Sequence, residues 1–253
     1  MIRCFAEPSA WTGVEVRLDA AESGHLVRVL RAGAGDPVEV FDGQGRRAAA
    51  VVRSADRRAA VLAAGTATLD PPPLPVVLIQ ALPKGGKGDL IVQKAVELGA
   101  ARIDWVAAER SVVRLSRAEA DRRLARWRRI AINAAKQCGR NRVPPMAFHP
   151  SVADLALRHP RAATWLLCSL AEDAEPLGRA LARRPRTPDA EVAALVGPEG
   201  DWTKAEESAL RAAGAVPVAL GPAVLRTETA ALFALSVLVH TLWEGIDAAG
   251  GAD

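Results

Sequence analysis

A run of prolines divides the chain into two parts with different patterns. Residues 70–75 read Asp70-Pro71-Pro72-Pro73-Leu74-Pro75, and consecutive prolines favour extended backbone while interrupting helices and sheet pairing. Strand-like alternation precedes this run, and strands alternating with helices follow it. We therefore expect a small domain over residues 1–70, a linker over 71–75 and a larger domain over 76–247 of this 253-residue chain.

The first part is typical of a small β-rich domain. Residues 14–18 and 37–41 alternate apolar and polar side chains with the period of two that marks a half-buried strand, and residues 48–52 and 59–62 continue the pattern. Residues 22–31 favour a short helix that ends near Gly33 and Gly35.

The second part has the pattern of an α/β domain. Residues 76–82 form a continuous apolar run, as in a parallel strand buried on both faces. Further strands are expected at 103–107, 164–168, 192–196 and 216–220, and helices at 89–98, 117–139, 176–182, 203–213 and 228–243. Repeated strand–helix units indicate a parallel sheet covered by helices.

The composition argues against several classes of protein. No apolar run reaches the ~18 residues of a membrane span, and the first residues lack the apolar segment of a signal peptide, so we expect a cytoplasmic protein without a membrane partner. The cysteines and histidines are scattered, which argues against a disulfide framework, a zinc site and metal catalysis. These residues are Cys4, Cys138, Cys168, His25, His149, His159 and His240.

Common nucleotide-binding and hydrolase motifs are also missing. The segment 84–89 is rich in glycine and lysine but does not have the spacing of a P-loop, and no G-x-G-x-x-G follows a strand. There is no G-x-S-x-G nucleophile elbow. A cofactor would therefore have to be held by a different architecture.

Positive charge is concentrated in the middle of the chain. Residues 102–142 contain twelve lysines and arginines against four acids, a net charge of +8 where the whole chain has +4. Along the helix expected at 117–139 and just past its end, polar residues recur at steps of three or four, opposite the apolar face: Arg122, Arg126, Arg129, Asn133, Lys136 and Arg140. Such a stripe fits a phosphate backbone, although a solvated surface remains an alternative.

Two loops in the last third carry the candidate chemistry. Gly197-Pro198-Glu199-Gly200 follows the strand expected at 192–196, and Leu225-Arg226-Thr227-Glu228-Thr229 precedes the last helix, for which Thr227 is a candidate N-cap. Ligands of parallel α/β sheets bind beyond the carboxyl ends of the strands. Each loop alone is as often a structural turn, whereas the pair indicates a ligand site.

These loops resemble those of the knotted SPOUT methyltransferases, and more narrowly of the RsmE-type 16S rRNA (uracil-N3)-methyltransferases. Segments elsewhere carry the same resemblance over nearly the whole chain: 25–31 with Gly35-Asp36 and Asp42-Gly43, 93–99, 137–140 with Val143-Pro144, and 220–222. Two positions depart from the family pattern. Asp201 stands where glycine is usual, and Lys136 stands where an acid is usual.

The resemblance implies an N-terminal PUA-like β-barrel that binds RNA, a C-terminal α/β domain with a deep trefoil knot, and a homodimer. It implies S-adenosylmethionine as cofactor, 16S rRNA of the small ribosomal subunit as partner and N3 of a uridine as methyl acceptor. Expected cofactor-binding residues are Leu195, Val196, Gly197, Pro198, Glu199, Gly200, Leu220, Gly221, Leu225, Arg226, Thr227 and Thr229.

The proton chemistry has three candidates. The N3 proton must leave or the anion must be stabilised, for which Glu199 or Glu228 could accept the proton and Arg226 could stabilise the uracil oxygens. A helix-capping role for Glu228 and a salt bridge for Arg226 remain alternatives. Expected RNA-binding residues are Arg28, Arg31, Lys84, Lys87, Arg114, Arg122, Arg126, Arg129, Arg140 and Arg142. A ribosome-assembly factor without catalysis and a ribose 2′-O methyltransferase remain open.

Overall fold

The computed structural model describes residues 1–158, 163–183 and 190–250, the last six of these as backbone only. His159 therefore lies outside the described residues. The chain forms two compact units, one of Met1–Pro72 with Ile132–Val143 and the other of Pro73–Ala131 with Pro144–Asp253. Residues 132–143, which lie beyond the proline run in the sequence, pack with the first unit.

Hydrogen bonds explain why this later segment packs with the first unit. Arg3 donates to the backbone oxygens of Ala135 (2.8 Å) and Arg140 (3.3 Å). Lys136 Nζ contacts both carboxylate oxygens of Glu22, at 2.8 and 2.9 Å, and both side chains are largely buried. Lys136, a departure from the family pattern, is therefore half of an ion pair within this unit.

The first unit is built on a mostly antiparallel sheet. Its strands are β1 (Ile2–Phe5), β2 (Trp11–Thr12), β3 (Glu15–Arg17), β4 (Pro37–Phe41), β5 (Arg46–Ser54), β6 (Val61–Ala64) and β7 (Thr68–Leu69). Their order is β1-β4-β5-β6-β3-β2, with β7 paired to β5. Alternate residues of β5 are buried, as the period-two pattern requires.

The helix expected over 22–31 is two pieces. Helix α1 (Ala20–Gly24) begins at Asp19, whose side chain accepts from the Glu22 N–H, and continues as a π-helical turn over His25–Val29. The segment ends at Arg31, whose φ of 57° is in the left-handed region. This places Arg28 and Arg31 on the surface of the first unit.

The second unit contains a seven-stranded sheet in which every pair is parallel. Its strands are β8 (Val76–Ala81), β9 (Arg102–Val106), β10 (Met146–His149), β11 (Thr164–Cys168), β12 (Glu175–Pro176), β13 (Val192–Val196) and β14 (Val216–Ala219). Its helices are α2 (Lys87–Glu97), α3 (Arg117–Cys138), α4 (Val152–Leu157), α5 (Leu177–Ala182), α6 (Lys204–Ala212) and α7 (Thr227–Gly250), although α3 continues into the first unit. The strand order is β10-β9-β8-β13-β11-β14-β12.

The central strands explain the apolar runs in the sequence. Every residue of β8 and β13 is buried, and the two strands pair in parallel with Val196 opposite Gln80. Neighbours β11 and β14 extend the sheet in the same direction, so the carboxyl ends of four strands meet at one edge. That edge positions the candidate site.

Within the second unit, two stacked tryptophans pack the first part of α3 onto strand β9. Trp127 is buried and stacks on Trp105 with ring centroids 3.8 Å apart. A Cβ at Gly88 would lie 2.7 Å from the Trp127 ring, so only glycine allows this approach of α2. Within the described parts of the chain, no helix is long and apolar enough to cross a membrane.

Candidate functional site

A cavity of about 590 Å³ lies at the edge where the parallel strands end. Loops after β11, β13 and β14 surround it, together with the start of α7 and one side chain of α2. Its walls are Lys87, Cys168, Ser169, Leu170, Ala171, Val196, Gly197, Pro198, Glu199, Asp201, Ala219, Leu220, Gly221, Pro222, Ala223, Val224, Leu225, Arg226, Thr227 and Ala230. The volume is that of a typical cofactor or small-molecule site.

Nine residues of the two expected cofactor loops line this cavity. They are Val196, Gly197, Pro198, Glu199, Leu220, Gly221, Leu225, Arg226 and Thr227. Three others lie outside the lining. Leu195 is buried in the core of the sheet, Gly200 packs against Arg110, whose Nη1 donates to the Gly200 carbonyl (2.9 Å), and Thr229 is exposed on α7.

The cavity wall formed by residues 168–171 was missed by sequence reasoning. These residues follow β11, which pairs with both β13 and β14, so their place in the sheet brings them between the two loops. They contain no glycine or proline to mark a ligand loop. The available signal was the strand expected at 164–168, whose carboxyl end had to reach the same edge.

The first loop is shaped by close backbone contacts. A Cβ at Gly197 would lie 3.2 Å from both Asp201 Oδ1 and Trp202 Nε1, so glycine leaves the loop room to turn. Asp201 has a φ of 60°, in the left-handed region that favours glycine, and its Oδ1 accepts from the Trp202 N–H (2.8 Å). The family's usual glycine at this position has a conformational reason, and aspartate tolerates the same conformation.

A buried hydroxyl joins the two loops. Thr227 Oγ1 donates to the Gly197 carbonyl (2.6 Å) and accepts from Gln80 Nε2 (2.8 Å). The expected N-cap role of Thr227 is wrong, because Thr227 is the first helical residue and the Arg226 carbonyl accepts the first helical bond, from Ala230 N–H (2.8 Å). The Thr227 side chain instead fixes the start of α7 to the first loop.

Lys87 of α2 contacts both candidate acids. Its Nζ lies 2.9 Å from Glu199 Oε1 and 3.1 Å from Glu228 Oε2. Glu199 Oε1 also accepts from the Lys84 N–H (3.1 Å). Lys84 and Lys87 were both expected to bind RNA, but the ammonium of Lys87 is occupied by carboxylates.

These contacts determine the ionisation of the acids. Burial acts to raise the pKa of Glu199, but hydrogen bonds from Lys87, from its own backbone and from Lys84 outweigh it, so the pKa is lowered. Burial likewise opposes the lowering of the Glu228 pKa, which its own backbone, Lys87 and the charge of Arg226 bring about. The hydrogen bond to Glu199 is the main reason that the pKa of Lys87 is raised. All three groups are therefore charged at neutral pH.

Arg226 differs from Lys87 in forming no salt bridge with any described residue, although its charge helps to lower the pKa of Glu228. It is exposed, it lines the cavity, and no salt bridge to it occurs in the part of the chain that the structure describes. The salt-bridge alternative for Arg226 therefore finds no support. Its guanidinium is available to a ligand with electronegative oxygens.

The basic stripe on α3 is less continuous than its spacing suggests. Arg126 bonds Asp89 of α2, and Lys136 is paired with Glu22. Arg140 is half-buried, and burial lowers its pKa. Arg122 and Arg129 remain exposed, and neither forms a salt bridge with any described residue.

Two further arginines expected to bind RNA are engaged in local structure. Arg114 donates to the backbone oxygens of Ala108 (3.2 Å) and Glu109 (2.5 Å). Arg142 donates to the backbone oxygens of Asp70 (2.7 Å) and Pro71 (3.1 Å) within the first unit. These contacts stabilise the fold, and an RNA-binding role would require the arginines to give them up.

A cleft of about 500 Å³ on the first unit collects arginines that the sequence reasoning did not group. Arg28 lines it together with His25, Arg57 and Arg58. All three arginines are exposed. The Asp56 carboxylate accepts from the backbone N–H groups of Arg58 and Ala59 (2.7 and 3.0 Å). We call this group the basic cleft.

No group of three or more metal-ligating side chains occurs among residues that the structure describes. His149, at the end of β10, contacts Asp154 (3.1 Å) and is buried, which is a structural role. The free thiol of Cys168 lines the cavity, and burial raises its pKa to about 12. Cys168 therefore contributes a neutral thiol to the cavity wall and is not a thiolate nucleophile.

Comparison with known proteins gives consistent matches. Residues 70–239 match the family described as RNA methyltransferase domain, and residues 18–63 match the RNA methyltransferase PUA domain. Ribosomal RNA small subunit methyltransferase E of Mycobacterium tuberculosis is 38% identical over 90% of this chain and 87% of that protein. Its counterpart in Bacillus subtilis is 33% identical over 87% of each chain.

Solved structures agree with these sequence matches. Ribosomal RNA small subunit methyltransferase E from Neisseria gonorrhoeae, bound to S-adenosyl methionine, has a TM-score of 0.82 at 33% identity and covers 95% of this chain and 98% of its own. A Legionella pneumophila methyltransferase in complex with the same cofactor has a TM-score of 0.85 at 28% identity, with the same coverage. The predicted fold class, a SPOUT-type α/β domain with a parallel sheet behind a PUA-like domain, is confirmed.

Proposed function

The chain belongs to the ribosomal RNA small subunit methyltransferase E family, and from this we propose that it transfers a methyl group from S-adenosylmethionine to N3 of a uridine in 16S rRNA. The observation that carries the proposal is the cavity at the carboxyl edge of the sheet, where the loop that contains Gly197 meets the segment from Gly221 to Thr227. We propose the small ribosomal subunit as partner and the cytoplasm as compartment.

The cavity fits S-adenosylmethionine in volume and in chemistry. It is lined mostly by small and apolar residues of three loops, with Lys87, Glu199, Asp201 and Arg226 as charged groups. Backbone groups of residues 196–199, 220–221 and 225–227 would hold the adenosine and methionine moieties. When bound, the cofactor supplies an electrophilic methyl group. Gly197 leaves space where a side chain would crowd Trp202 and Asp201.

The chain's own residues would have two tasks in the reaction. The Arg226 guanidinium, exposed at the cavity and without a salt bridge to any described residue, would stabilise negative charge on the uracil oxygens. An ionised carboxylate, Glu199 or Glu228, would accept the N3 proton. Holding the methyl and N3 in line would supply a large part of the rate.

RNA must present an accessible uridine. Because N3 lies on the pairing edge, the base has to be unpaired or extruded. We propose that Arg28, Arg57 and Arg58 of the basic cleft, with Arg31, hold RNA phosphates on the first unit. On the second unit Arg122 and Arg129 do so, with Lys84 as a further contact.

We also propose a homodimer. Phe233 and Trp243 of α7 are 42% and 60% exposed, so this helix presents two large aromatic side chains to solvent. A second copy of the chain would cover them. Sedimentation equilibrium should give twice the chain mass, and a monomer at micromolar concentration would contradict the proposal.

Calorimetry and methyl-transfer assays test the function. Purified protein should bind S-adenosylmethionine and should transfer labelled methyl groups to small subunits from cells that lack the gene. Arg226→Ala should retain cofactor binding within a few-fold and reduce kcat by about 100-fold, the loss expected for a group that stabilises developing charge. Absence of cofactor binding would instead support an assembly factor without catalysis.

A further inference from the structure

One lysine from outside the two cofactor loops connects both candidate proton acceptors. Lys87 begins α2, and its Nζ lies 2.9 Å from Glu199 Oε1 and 3.1 Å from Glu228 Oε2. Given the proposed function, on which this inference rests, we propose that Glu199 is the residue that accepts the N3 proton. Lys87 and Glu228 are then a positioning pair that orients the Glu199 carboxylate.

The two glutamates differ in their access to substrate. Glu199 lines the cofactor cavity, whereas Glu228 does not. The Glu228 Oε2 atom is buried and has Lys87 as its ionic partner. The enclosed Glu228 carboxylate is therefore placed to hold Lys87, and it is poorly placed to contact a uracil base that enters the cavity.

The donors around Glu199 orient it from one side. Lys84 N–H and Lys87 Nζ both donate to Oε1, at 3.1 and 2.9 Å, and neither donates to Oε2. Two donors on one oxygen fix the plane of the carboxylate. Because Lys87 is itself held by Glu228, the orientation depends on a chain of three charges drawn from α2, the first loop and α7.

The remaining charges near this chain are few. Arg226, at the start of α7, is the cation whose charge acts on Glu228, and Asp201 of the first loop lines the same cavity. The Lys84 side chain is exposed, so only its backbone N–H takes part. The titration of Glu199 should therefore respond mainly to the charges at positions 87 and 228.

The proton step balances with the proposed cofactor as methyl donor. The N3–H bond breaks and its proton goes to Glu199, while N3 keeps the electron pair that forms the new bond to the methyl carbon. The electron pair of the old carbon–sulfur bond goes to the sulfur, which loses its positive charge. Glu199 later releases the proton to water.

Two substitutions should move the Glu199 titration in opposite directions. Lys87→Met removes a neighbouring cation, so the pKa of Glu199 should rise. Glu228→Gln removes a neighbouring anion and leaves Glu199 as the carboxylate that pairs with Lys87, so the pKa of Glu199 should fall. Carbon-13 NMR of glutamate-labelled free protein measures this, with the Glu199 signal identified by its loss in Glu199→Gln. Lys94→Met on the same helix, where Lys94 pairs with Glu97 (2.7 Å), is the matched control.

The pH dependence of kcat should shift in the same directions as the pKa of Glu199. Since Glu199 must be ionised to accept a proton, the acidic limb of kcat should move to higher pH in Lys87→Met and to lower pH in Glu228→Gln. Glu199→Gln should lose about 100-fold in kcat, and Lys87→Arg should recover most of the loss caused by Lys87→Met.

Distinct results separate this inference from the proposed function. A wild-type protein that methylates no uridine would refute the proposed function, whereas NMR still reports whether Lys87 and Glu228 control Glu199. If the wild type is active, full kcat in Glu199→Gln would overturn the assignment of the acceptor. An unmoved Glu199 titration in both Lys87→Met and Glu228→Gln would overturn the positioning pair.

Discussion

At the scale of single residues, the candidate site depends on side chains that hold its loops in place. Thr227 is buried, and its hydroxyl donates to the Gly197 carbonyl and accepts from the side-chain amide of Gln80. Its place in the sequence indicated a helix cap, because threonine before a helix usually caps it. The tertiary partners Gly197 and Gln80, 30 and 147 residues away, could not be inferred from local pattern.

Replacing Thr227 by valine should weaken cofactor binding. Valine keeps the shape but takes the hydroxyl donor from the Gly197 carbonyl and removes one acceptor of Gln80 Nε2, which also donates to the Ala81 carbonyl (3.0 Å). The cost should be about 1–3 kcal/mol. Calorimetry should show a roughly tenfold weaker affinity for S-adenosylmethionine. Thr227→Ser, which retains the hydroxyl, is the control, and equal affinities for the valine and serine variants would contradict the role of this hydrogen bond.

Asp201 should be sensitive to side-chain shape rather than to charge. At a φ of 60°, Asp201→Gly should remain within about 1 kcal/mol of the original stability, because glycine prefers the conformation but loses the bond to Trp202 N–H. Asp201→Val should lose at least about 1–2 kcal/mol. Urea unfolding monitored by tryptophan fluorescence measures both, and equal midpoints for the two variants would show that the conformation carries no strain.

At the scale of helices and strands, regular patterns predicted the elements well. Strands expected at 164–168 and 192–196 have those bounds in β11 and β13. Helix α6 begins with a capping box formed by Thr203 and Glu206, within the helix expected at 203–213. Strand β10 was missed because two prolines precede only four residues, too short a run to show a period.

The basic face of α3 was predicted from the spacing of its arginines, but acidic residues on other elements determine which of these arginines are paired. Arg126 has Asp89 as a partner, which lies 37 residues earlier and on another helix. Arg122 and Arg129 have no salt-bridge partner among the described residues. The face available to RNA is therefore narrower than the stripe in the sequence.

A double variant tests this narrower face. Arg122→Ala with Arg129→Ala should weaken binding to small-subunit RNA and should reduce the slope of log affinity against log salt by about 1–2, because each free arginine contacts about one phosphate. Arg117→Ala, which removes an arginine already paired with Asp121 on the same helix, should change the slope far less. Cofactor affinity should stay the same in every variant, and an unchanged salt slope in the double variant would exclude this face.

At the scale of the whole molecule, fold class and cofactor loops could be predicted from the sequence, and the assembled site only in part. Gly197 and Pro198 mark the first loop, and Gly221 and Pro222 precede the second. Residues 168–171 and Lys87, however, enter the site through the order of the parallel strands and the placement of α2. Strand pairing also does not specify how the last loops thread, so the trefoil knot implied by the family resemblance stays a prediction. The spacing of charged residues in the sequence identifies a basic helix face, whereas the packing of neighbouring elements determines which of those charges form ion pairs within the protein.

The modified nucleoside itself tests the central claim most directly. Small ribosomal subunits from cells that lack the gene would be incubated with the purified protein and S-adenosylmethionine, and the RNA would be digested and its nucleosides resolved by chromatography and mass spectrometry. We predict the appearance of 3-methyluridine, approaching one per subunit, and an initial rate about 100-fold lower with Arg226→Ala. Methylation of a ribose 2′-hydroxyl instead, or no methylated nucleoside at all, would contradict the account.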